Sequence, residues 1–242
     1  METLERTYKV PSAGIFGGPT EVTIRPMTTK EEKIIYSSKD ASFLEKIVKS
    51  CIIQPKDVNM SKFHPNDITF LLYMIRELTF GPKYKQKVQC PNCNLKQDIE
   101  IDITEMSYEI LDLETLDEKL RVTLPVRGDT ITLKLLSQGD FEEINSTIKR
   151  MNAQHKLSDP EGYEYGYRFA KMIDKINGEE KEDIKEVIDY LDNLNLRDFE
   201  AIKNCLADIP LGLNTLNIRS CENCGEELEV YGAAVPEFFR SH

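Results

Sequence analysis

Cys90-Pro-Asn-Cys93 and Cys221-Glu-Asn-Cys224 are two C-x-x-C turns, each with a strand-like run of residues before and after it. A C-x-x-C turn directs two thiolates to one point, and two such turns complete the four-sulfur tetrahedron that Zn²⁺ prefers. The 127 residues of 94–220 separate the pairs, whereas an ordinary zinc ribbon has about 15–20. The pattern therefore predicts one metal site with a whole subdomain threaded between its two halves.

The four cysteines leave more than one chemistry open. Zinc is the first interpretation, and an iron–sulfur centre, two redox pairs or free thiols are the alternatives. Thiol oxidoreductases share the C-P-x-C pattern, but there the motif opens a helix whose N-terminus lowers the thiol pKa. Residues 94–103 instead alternate like a strand, which disfavours a redox pair at Cys90 and Cys93. Because four sulfurs close the zinc shell to water and substrate, we expect a structural zinc ion.

Composition and charge narrow the function classes. The chain has 242 residues, of which 40% are hydrophobic, so it is long enough for one large domain or two modest ones. Asp and Glu outnumber Lys and Arg by 42 to 31, and the net charge of −11 disfavours non-specific binding to nucleic acid or to an anionic membrane. No apolar run approaches membrane-spanning length. With no targeting signal, we expect a protein of the reducing cytoplasm, where paired C-x-x-C turns favour metal over disulfides.

The same patterns predict an α+β fold. A zinc-ribbon-like β element and small β-hairpins combine with amphipathic helices, and a mostly helical insertion lies between the two zinc knuckles. The predicted segments are an extended N-terminal arm or hairpin at 1–27, a helical core plus the first zinc knuckle at 28–103, a linker and β-hairpin at 104–138, a helical bundle insertion at 139–209, and the second zinc knuckle with the C-terminal tail at 210–242.

End signals and apolar spacing predict the individual elements of the first half. Thr28 and Glu31 form a capping box at the start of the first helix, in which the Thr28 hydroxyl accepts the Glu31 backbone N–H and the carboxylate reaches back. Apolar stripes predict further helices over 41–53 and 65–80. Cys51 falls on the first of these stripes and is interpreted as a small buried hydrophobe, as is Cys205 on a later one. The strands that flank the two knuckles are predicted over 84–89, 97–103, 214–220 and 226–232.

The insertion begins with a predicted hairpin and continues with helices. Alternating runs on either side of Arg127-Gly-Asp129 predict a hairpin closed by a three-residue loop, and we interpret the triplet as a tight turn rather than an integrin ligand. Four apolar stripes follow at helical spacing and predict a bundle. The second stripe extends to Ile176 and is closed by Asn177-Gly178, and Asn195 is predicted to cap the last helix.

Catalytic motifs do not emerge from the sequence. Its three histidines lie outside any metalloprotease or nucleophile motif, and no phosphate-binding glycine loop precedes a helix. We therefore expect a protein that is not an enzyme and has no small-molecule substrate. The main alternative is a zinc-ribbon nucleic-acid-binding accessory protein. The lysines around the first knuckle favour it, and the glutamates around the second oppose it: Lys83, Lys85, Lys87 and Lys96 against Glu222, Glu226, Glu227 and Glu229.

The N-terminal half resembles the tail baseplate hub assembly proteins of T4-like, contractile-tailed phages. The resemblance covers about residues 8–103, and beyond them it rests on the returning Cys221/Cys224 pair. Asn94 departs from the family pattern, which often has glycine after the second cysteine. The matching pieces are Val10-Pro-Ser-Ala-Gly14, Arg25-Pro-Met-Thr-Thr-Lys-Glu-Glu32, the Leu-rich helix Phe70–Arg76, Phe80-Gly-Pro-Lys-Tyr84 and Cys90-Pro-Asn-Cys93.

This resemblance implies a non-enzymatic protein of phage tail assembly. It would be a component of the central baseplate hub or a chaperone of hub assembly, in the infected host cytoplasm or in the virion tail baseplate. Its partners would be other baseplate or tail hub proteins. The acidic charge disfavours nucleic acid as a partner, and we expect no membrane. We expect the loop at 11–19, with Ile15 and Phe16 in a Gly/Pro frame, and the helical insertion to carry the partner contacts.

Overall fold

In the computed structural model, which describes residues 4–37, 42–155, 159–232 and 236–239, helices and short antiparallel strands alternate along the chain. This arrangement confirms the predicted α+β class. The helices are α1 (Thr29–Ser37), α2 (Ser42–Cys51), α3 (Pro65–Phe80), α4 (Leu116–Lys119), α5 (Gln138–His155), α6 (Pro160–Met172), α7 (Ile184–Asp192) and α8 (Leu196–Ala207). The strands are β1 (Arg6–Lys9), β2 (Glu21–Ile24), β3 (Ile52–Gln54), β4 (Lys83–Gln89), β5 (Lys96–Asp102), β6 (Tyr108–Glu109), β7 (Arg121–Thr123), β8 (Thr130–Leu133), β9 (Ile173–Ile176), β10 (Glu179–Glu180), β11 (Gly212–Leu213), β12 (Leu216–Ser220) and β13 (Glu227–Tyr231).

The chain divides into two compact units. The ribbon unit comprises Met1–Met60, Pro65–Ile110 and Leu211–His242, and the inserted unit comprises Ser61–His64 and Leu111–Pro210. In the ribbon unit, β6 pairs antiparallel with β11, with Glu109 opposite Gly212. The chain therefore leaves the ribbon unit and returns to it on adjacent strands. The five-segment division made from the sequence remains a prediction.

Helix α3 forms the core of the ribbon unit. It spans Pro65–Phe80 as predicted, and nearly every side chain from Asp67 to Arg76 is buried. A helix that is apolar on all sides requires cover on all sides. Part of that cover comes from the C-terminal 3-10 turn, where Phe238 lies 4.7 Å from the ring of Tyr73 and is 3% exposed.

The capping box at α1 is present with one change in its hydrogen bonds. The Glu31 carboxylate accepts the backbone N–H of Thr28 at 2.7 Å, as predicted, but the Thr28 hydroxyl accepts from Lys30 rather than Glu31. Glu31 is fully buried and also accepts from Arg25 and Ser50. Burial alone would raise the pKa of Glu31, but these hydrogen bonds outweigh it and the pKa is lowered. The cap is therefore an ionised carboxylate that ties α1 to the residues before β3.

The boundary of α2 differs from the prediction. The helix ends at Cys51, and Ile52–Gln54 form β3, which pairs with β2. Cys51 is fully buried, as predicted. Cys205, on α8 of the inserted unit, is only half-buried, and its thiol donates to the Lys119 carbonyl at 3.1 Å. The prediction of a buried hydrophobe was therefore wrong for Cys205.

The inserted unit packs helices α5 to α8 with a four-stranded antiparallel sheet of order β10-β9-β8-β7. Its core contains Leu136, Ile144, Ile148 and Tyr167, with Phe141 and Met172 packed beside them. Asn195 caps α8 as predicted, because its side-chain oxygen accepts the Asp198 backbone N–H at 3.1 Å.

The second helical stripe of the insertion ends earlier than predicted. Helix α6 stops at Met172, and Ile173–Ile176 form β9, in which Ile176 pairs with Ile131 of β8. Asn177 and Gly178 both have positive φ, at 54° and 84°, and Glu179 pairs back with Ile176. A two-residue Asn-Gly loop of this kind is a type I′ hairpin turn. The prediction of a helix end at Asn177-Gly178 is therefore wrong.

The Arg-Gly-Asp hairpin is also confirmed as a hairpin, but its loop is longer than three residues. Strands β7 and β8 leave residues 124–129 as the connection. Pro125 has no N–H for the strand ladder. The N–H groups of Val126 and Arg127 donate instead to the buried Asp198 carboxylate, at 2.7 and 3.2 Å. The loop is therefore held in place by a side chain that is far away in sequence.

Candidate metal centre

Two β-ribbons of the ribbon unit carry the four cysteines. Ribbon 1 is the β4–β5 hairpin, and ribbon 2 is the β12–β13 hairpin. Both are antiparallel pairs with a C-x-x-C turn at the tip. Along β4 and β5 the side chains alternate between buried and exposed, so each ribbon has an inner and an outward face. The strand bounds match those predicted from the sequence to within two residues.

The two knuckles have the same backbone. In ribbon 1 the Cys90 N–H donates to Leu95 O at 2.9 Å, and the Asn94 N–H donates to Cys90 O at 3.0 Å. In ribbon 2 the Cys221 N–H donates to Glu226 O at 2.8 Å, and the Gly225 N–H donates to Cys221 O at 2.9 Å. The residue after each second cysteine is left-handed, with φ 61° at Asn94 and 73° at Gly225. Asn tolerates this region better than other L-residues do, which accounts for the departure at Asn94.

The knuckles bring all four sulfurs together. The Sγ atoms of Cys90, Cys93, Cys221 and Cys224 lie within 4.8 Å of one another. Cys90 and Cys224 are 3.6 Å apart across the ribbons, and so are Cys93 and Cys221. A tetrahedral Zn²⁺ with Zn–S bonds of about 2.3 Å requires S–S distances of about 3.8 Å. The pairs are too far apart for disulfides, whose sulfurs are about 2.05 Å apart. The four cysteines are therefore close enough together to hold a metal ion.

The electrostatics of the cluster favour a cation. The Asn223 side chain, followed by the Leu95 backbone N–H, hydrogen-bonds the Cys93 thiolate, and together they lower the pKa of Cys93 to about 6. The hydrogen bond from the Glu226 backbone N–H lowers the pKa of Cys224, but desolvation and the neighbouring thiols outweigh it and raise that pKa to about 11. The first thiolate to form thus hinders the next, and a metal ion removes this conflict because thiolates are its ligands.

Side-chain hydrogen bonds tie the two ribbons to each other. At the knuckle end, the Gln97 side-chain oxygen accepts the Glu222 backbone N–H at 3.1 Å. At the far end, the Gln86 amide donates to the Tyr231 carbonyl at 3.1 Å. Sequence reasoning missed Asn223, Gln97 and Gln86. Asn223 had a signal, because asparagine occupies the third position of both C-x-x-C turns. The two glutamines had none, because their role depends on the facing ribbon.

The lysines of ribbon 1 face acidic residues across the strands. Lys83 lies opposite Asp102, Lys85 opposite Glu100 and Lys87 opposite Asp98. Lys83 also contacts Glu100, with its Nζ 2.9 Å from the carboxylate. Pairs of opposite charge directly across a ladder compensate each other. Three of the four lysines that favoured nucleic-acid binding are therefore compensated, whereas Lys96 lies opposite the uncharged Gln89.

The 11–19 loop is held by backbone bonds and by α3. Val10 and Thr20 close it at 2.8 Å, and the Ser12 N–H donates to the buried Asp67 carboxylate at 2.8 Å. Ile15 and Phe16 are each half-buried. Their role in partner binding stays a prediction.

The Asp129 carboxylate of the Arg-Gly-Asp triplet is engaged within its own unit. It accepts from the Arg127 guanidinium at 3.0 Å, the Asn177 amide at 2.8 Å and the Tyr190 hydroxyl at 2.8 Å. The Asn177 bond, then the Tyr190 bond, lower the pKa of Asp129. Three internal donors agree with the interpretation of the triplet as a tight turn.

Comparison with known proteins places the chain in a family. A family model described as T4 bacteriophage base plate protein matches residues 1–240. Neither the curated proteins nor the solved structures gave a match. Within the described residues, no helix has the length and apolar character needed to cross a membrane.

Proposed function

This chain belongs to the T4 bacteriophage base plate protein family, and we propose that it is a baseplate hub component or a chaperone of hub assembly. Membership implies a structural role in the phage tail and contacts with other tail or baseplate proteins. In our proposal those contacts are made by protein surfaces, without catalysis, in the host cytoplasm during infection. A structural zinc ion at Cys90, Cys93, Cys221 and Cys224 stabilises the surfaces.

One observation carries the proposal of structural zinc. Four sulfurs from two separate ribbons lie within 4.8 Å, at distances that suit a tetrahedral ion. A shell of four protein ligands leaves no open position for water, so such an ion supports folding rather than catalysis. When bound, the ion would join two hairpins that are more than a hundred residues apart in sequence. Each hairpin is only two strands wide, and isolated two-stranded ribbons are marginal in water.

Metal analysis of the purified protein tests the zinc. We expect about one zinc per chain, lost in Cys93→Ser, and a colourless protein. If the protein carries iron and shows the visible absorption of iron–thiolate centres, iron replaces zinc as the proposed metal. A metal-free protein that is fully folded would remove the structural role.

Mass spectrometry of purified virions separates the two forms of the assembly role. A hub component remains in the finished particle at a fixed stoichiometry to the other baseplate proteins, whereas a chaperone is absent from it. A chaperone would instead co-purify with hub proteins from infected cells before tails are complete. Absence from both preparations would overturn the proposal.

A further inference from the structure

The outer edge of β13 is open. The Cys221 N–H donates to Glu226 O and the Gly232 N–H donates to Thr215 O, which fixes the phase of the β12–β13 ladder. In an antiparallel pair only alternate residues exchange hydrogen bonds, so the backbone groups of Glu227, Glu229 and Tyr231 point away from β12. The Tyr231 carbonyl accepts from Gln86. Within the described part of the chain, β13 pairs with no strand other than β12, so Glu227 and Glu229 lack a strand partner.

This edge lies in a cleft between the two ribbons. The cleft has a volume of about 460 Å³ and is lined by Val88, Gln89, Pro91 and residues 226–229. Val88 and Pro91 supply most of its accessible apolar surface, since Leu228 is 3% exposed. An exposed strand edge beside apolar side chains is the usual receptor for an extended peptide, which pairs with the edge through its main chain.

Uncompensated negative charge surrounds the edge. Glu226, Glu227 and Glu229 line the cleft and are exposed, and no ion pair involves them within the described residues. Across β12 they face uncharged partners, with Glu227 opposite Ser220 and Glu229 opposite Ile218. Lys83, Lys85 and Lys87 of ribbon 1, by contrast, already lie opposite acids. The charge of the cleft therefore favours a basic occupant.

We propose that the edge of β13 binds, by strand addition, an extended segment of another protein in which basic and apolar residues alternate. The alternation follows from the pleat, because successive side chains of an added strand point to opposite faces. One set would lie beside Glu227 and Glu229, and the other beside Leu228 and Val88. The inference rests on the proposed function, since it assigns this cleft to one of the baseplate partners.

Fluorescence anisotropy with a defined peptide tests the proposal. The probe is an end-capped, fluorescein-labelled peptide of about nine residues with alternating lysine and valine, titrated with the zinc-loaded full-length protein. We expect saturable binding that weakens with salt, and no binding of the matched glutamate–valine peptide. Two further probes carry backbone N-methyl groups either on every lysine or on every valine. Only one alternate set of N–H groups can reach β13, so one series should lose binding at least about tenfold while the other retains it.

Charge reversal on the protein gives the second arm. Glu227→Lys with Glu229→Lys should weaken binding about tenfold or more. The control Glu21→Lys with Glu32→Lys makes the same charge change at two exposed acids elsewhere in the ribbon unit, and should leave affinity within about threefold. Zinc content verifies that each variant is folded.

Equal loss in both N-methyl series, or in neither, would overturn strand addition, and equal effects of both charge variants would overturn the cleft as the site. Failure of peptide binding in a zinc-loaded protein that still associates with tail proteins would leave the proposed function standing. Peptide binding by a protein that is absent from all tail preparations would leave the peptide site standing and overturn the proposed function.

Discussion

Ribbon 1 and ribbon 2 have matching knuckle hydrogen bonds, matching left-handed residues and two cysteines each, yet their outward faces differ. On ribbon 1, Lys83, Lys85 and Lys87 each lie opposite an acid. On ribbon 2 the same face carries Ile218 and Tyr231, 54% and 57% exposed, among glutamates with no lysine opposite them. The two ribbons thus share one backbone geometry, but the charges on the outward face are paired with opposite charges in ribbon 1 and unpaired in ribbon 2.

The difference separates what a metal half-site requires from what it leaves free. The turn, the left-handed residue and the N–H groups near the sulfurs are the features that a four-sulfur metal site would require, and both ribbons have them. The outward faces lie on the other side of each strand and make no contribution to the sulfur geometry. They can therefore serve different ends, solvation for ribbon 1 and, in our proposal, recognition for ribbon 2.

Loss of one cysteine should have the largest effect, and the same effect in either ribbon. We expect Cys93→Ser and Cys224→Ser each to lose tightly bound metal and several kcal/mol of unfolding free energy, because three thiolates do not complete the tetrahedron. Metal content and denaturant unfolding measure this. Cys205→Ser, which removes a thiol in the inserted unit, should keep a full equivalent of metal. A Cys224→Ser protein with full metal would show that the half-sites are not equivalent.

The hydrogen bond from Asn223 predicts an asymmetry between the knuckles. Asn223→Ala should raise the pKa of Cys93, because its side chain is the largest influence that lowers this pKa to about 6. Protons then compete for the thiolate at higher pH, so the metal should be released at a higher pH than in the unaltered protein. Partners of metal ligands typically contribute about 10–100-fold in affinity. Acid titration with a chromogenic chelator measures the midpoint, and Asn92→Ala, the equivalent change in ribbon 1, should leave it in place.

The sequence predicted well that the four cysteines come together on two strand-flanked turns, since this depends on local patterns, and their role as metal ligands stays a prediction. C-x-x-C spacing and alternation are properties of short windows, so the four cysteines and four flanking strands were found to within two residues. The Thr28–Glu31 box and the Asn195 cap are equally local, and both are present.

The errors came where the fold overrides a local pattern or where the same signal has two meanings. Ile173 and Ile176 continue a helical stripe, but β8 offers Ile176 a strand partner and Asn177-Gly178 turns the chain back. Ile52 likewise continues a helical stripe but lies in β3, where it pairs with Ile24 of β2. Asp198 accepts hydrogen bonds from the Arg-Gly-Asp loop, and Gln97 accepts one from the second knuckle. Both interactions join residues more than 70 apart in sequence, so no short window of sequence contains them.

The left-handed position of each knuckle predicts a moderate effect that depends on residue type. A Cβ at Gly225 would meet no atom within 4 Å, so any cost of Gly225→Ala comes from its φ of 73° alone. We expect about 1–2 kcal/mol of destabilisation. Gly225→Asn should cost less, since it reproduces the residue that ribbon 1 uses. Denaturant unfolding of the zinc-loaded variants compares them, and an alanine that costs no more than asparagine would mean that the knuckle backbone relaxes.

The smallest effect should come from the outward faces, and here the ribbons should differ. Lys87→Glu places two acids directly opposite each other, at Asp98, and should cost about 0.2–1 kcal/mol. Glu227→Lys reverses a charge opposite the uncharged Ser220 and should be close to neutral. Unfolding free energies at low and high salt measure both, and the Lys87→Glu cost should shrink with salt. The double variant Lys87→Glu/Asp98→Lys restores opposite charges and should recover the loss. If it does not, the acids across the strand do not compensate the charge of the ribbon 1 lysines, and the outward face of ribbon 1 is as available to a partner as that of ribbon 2.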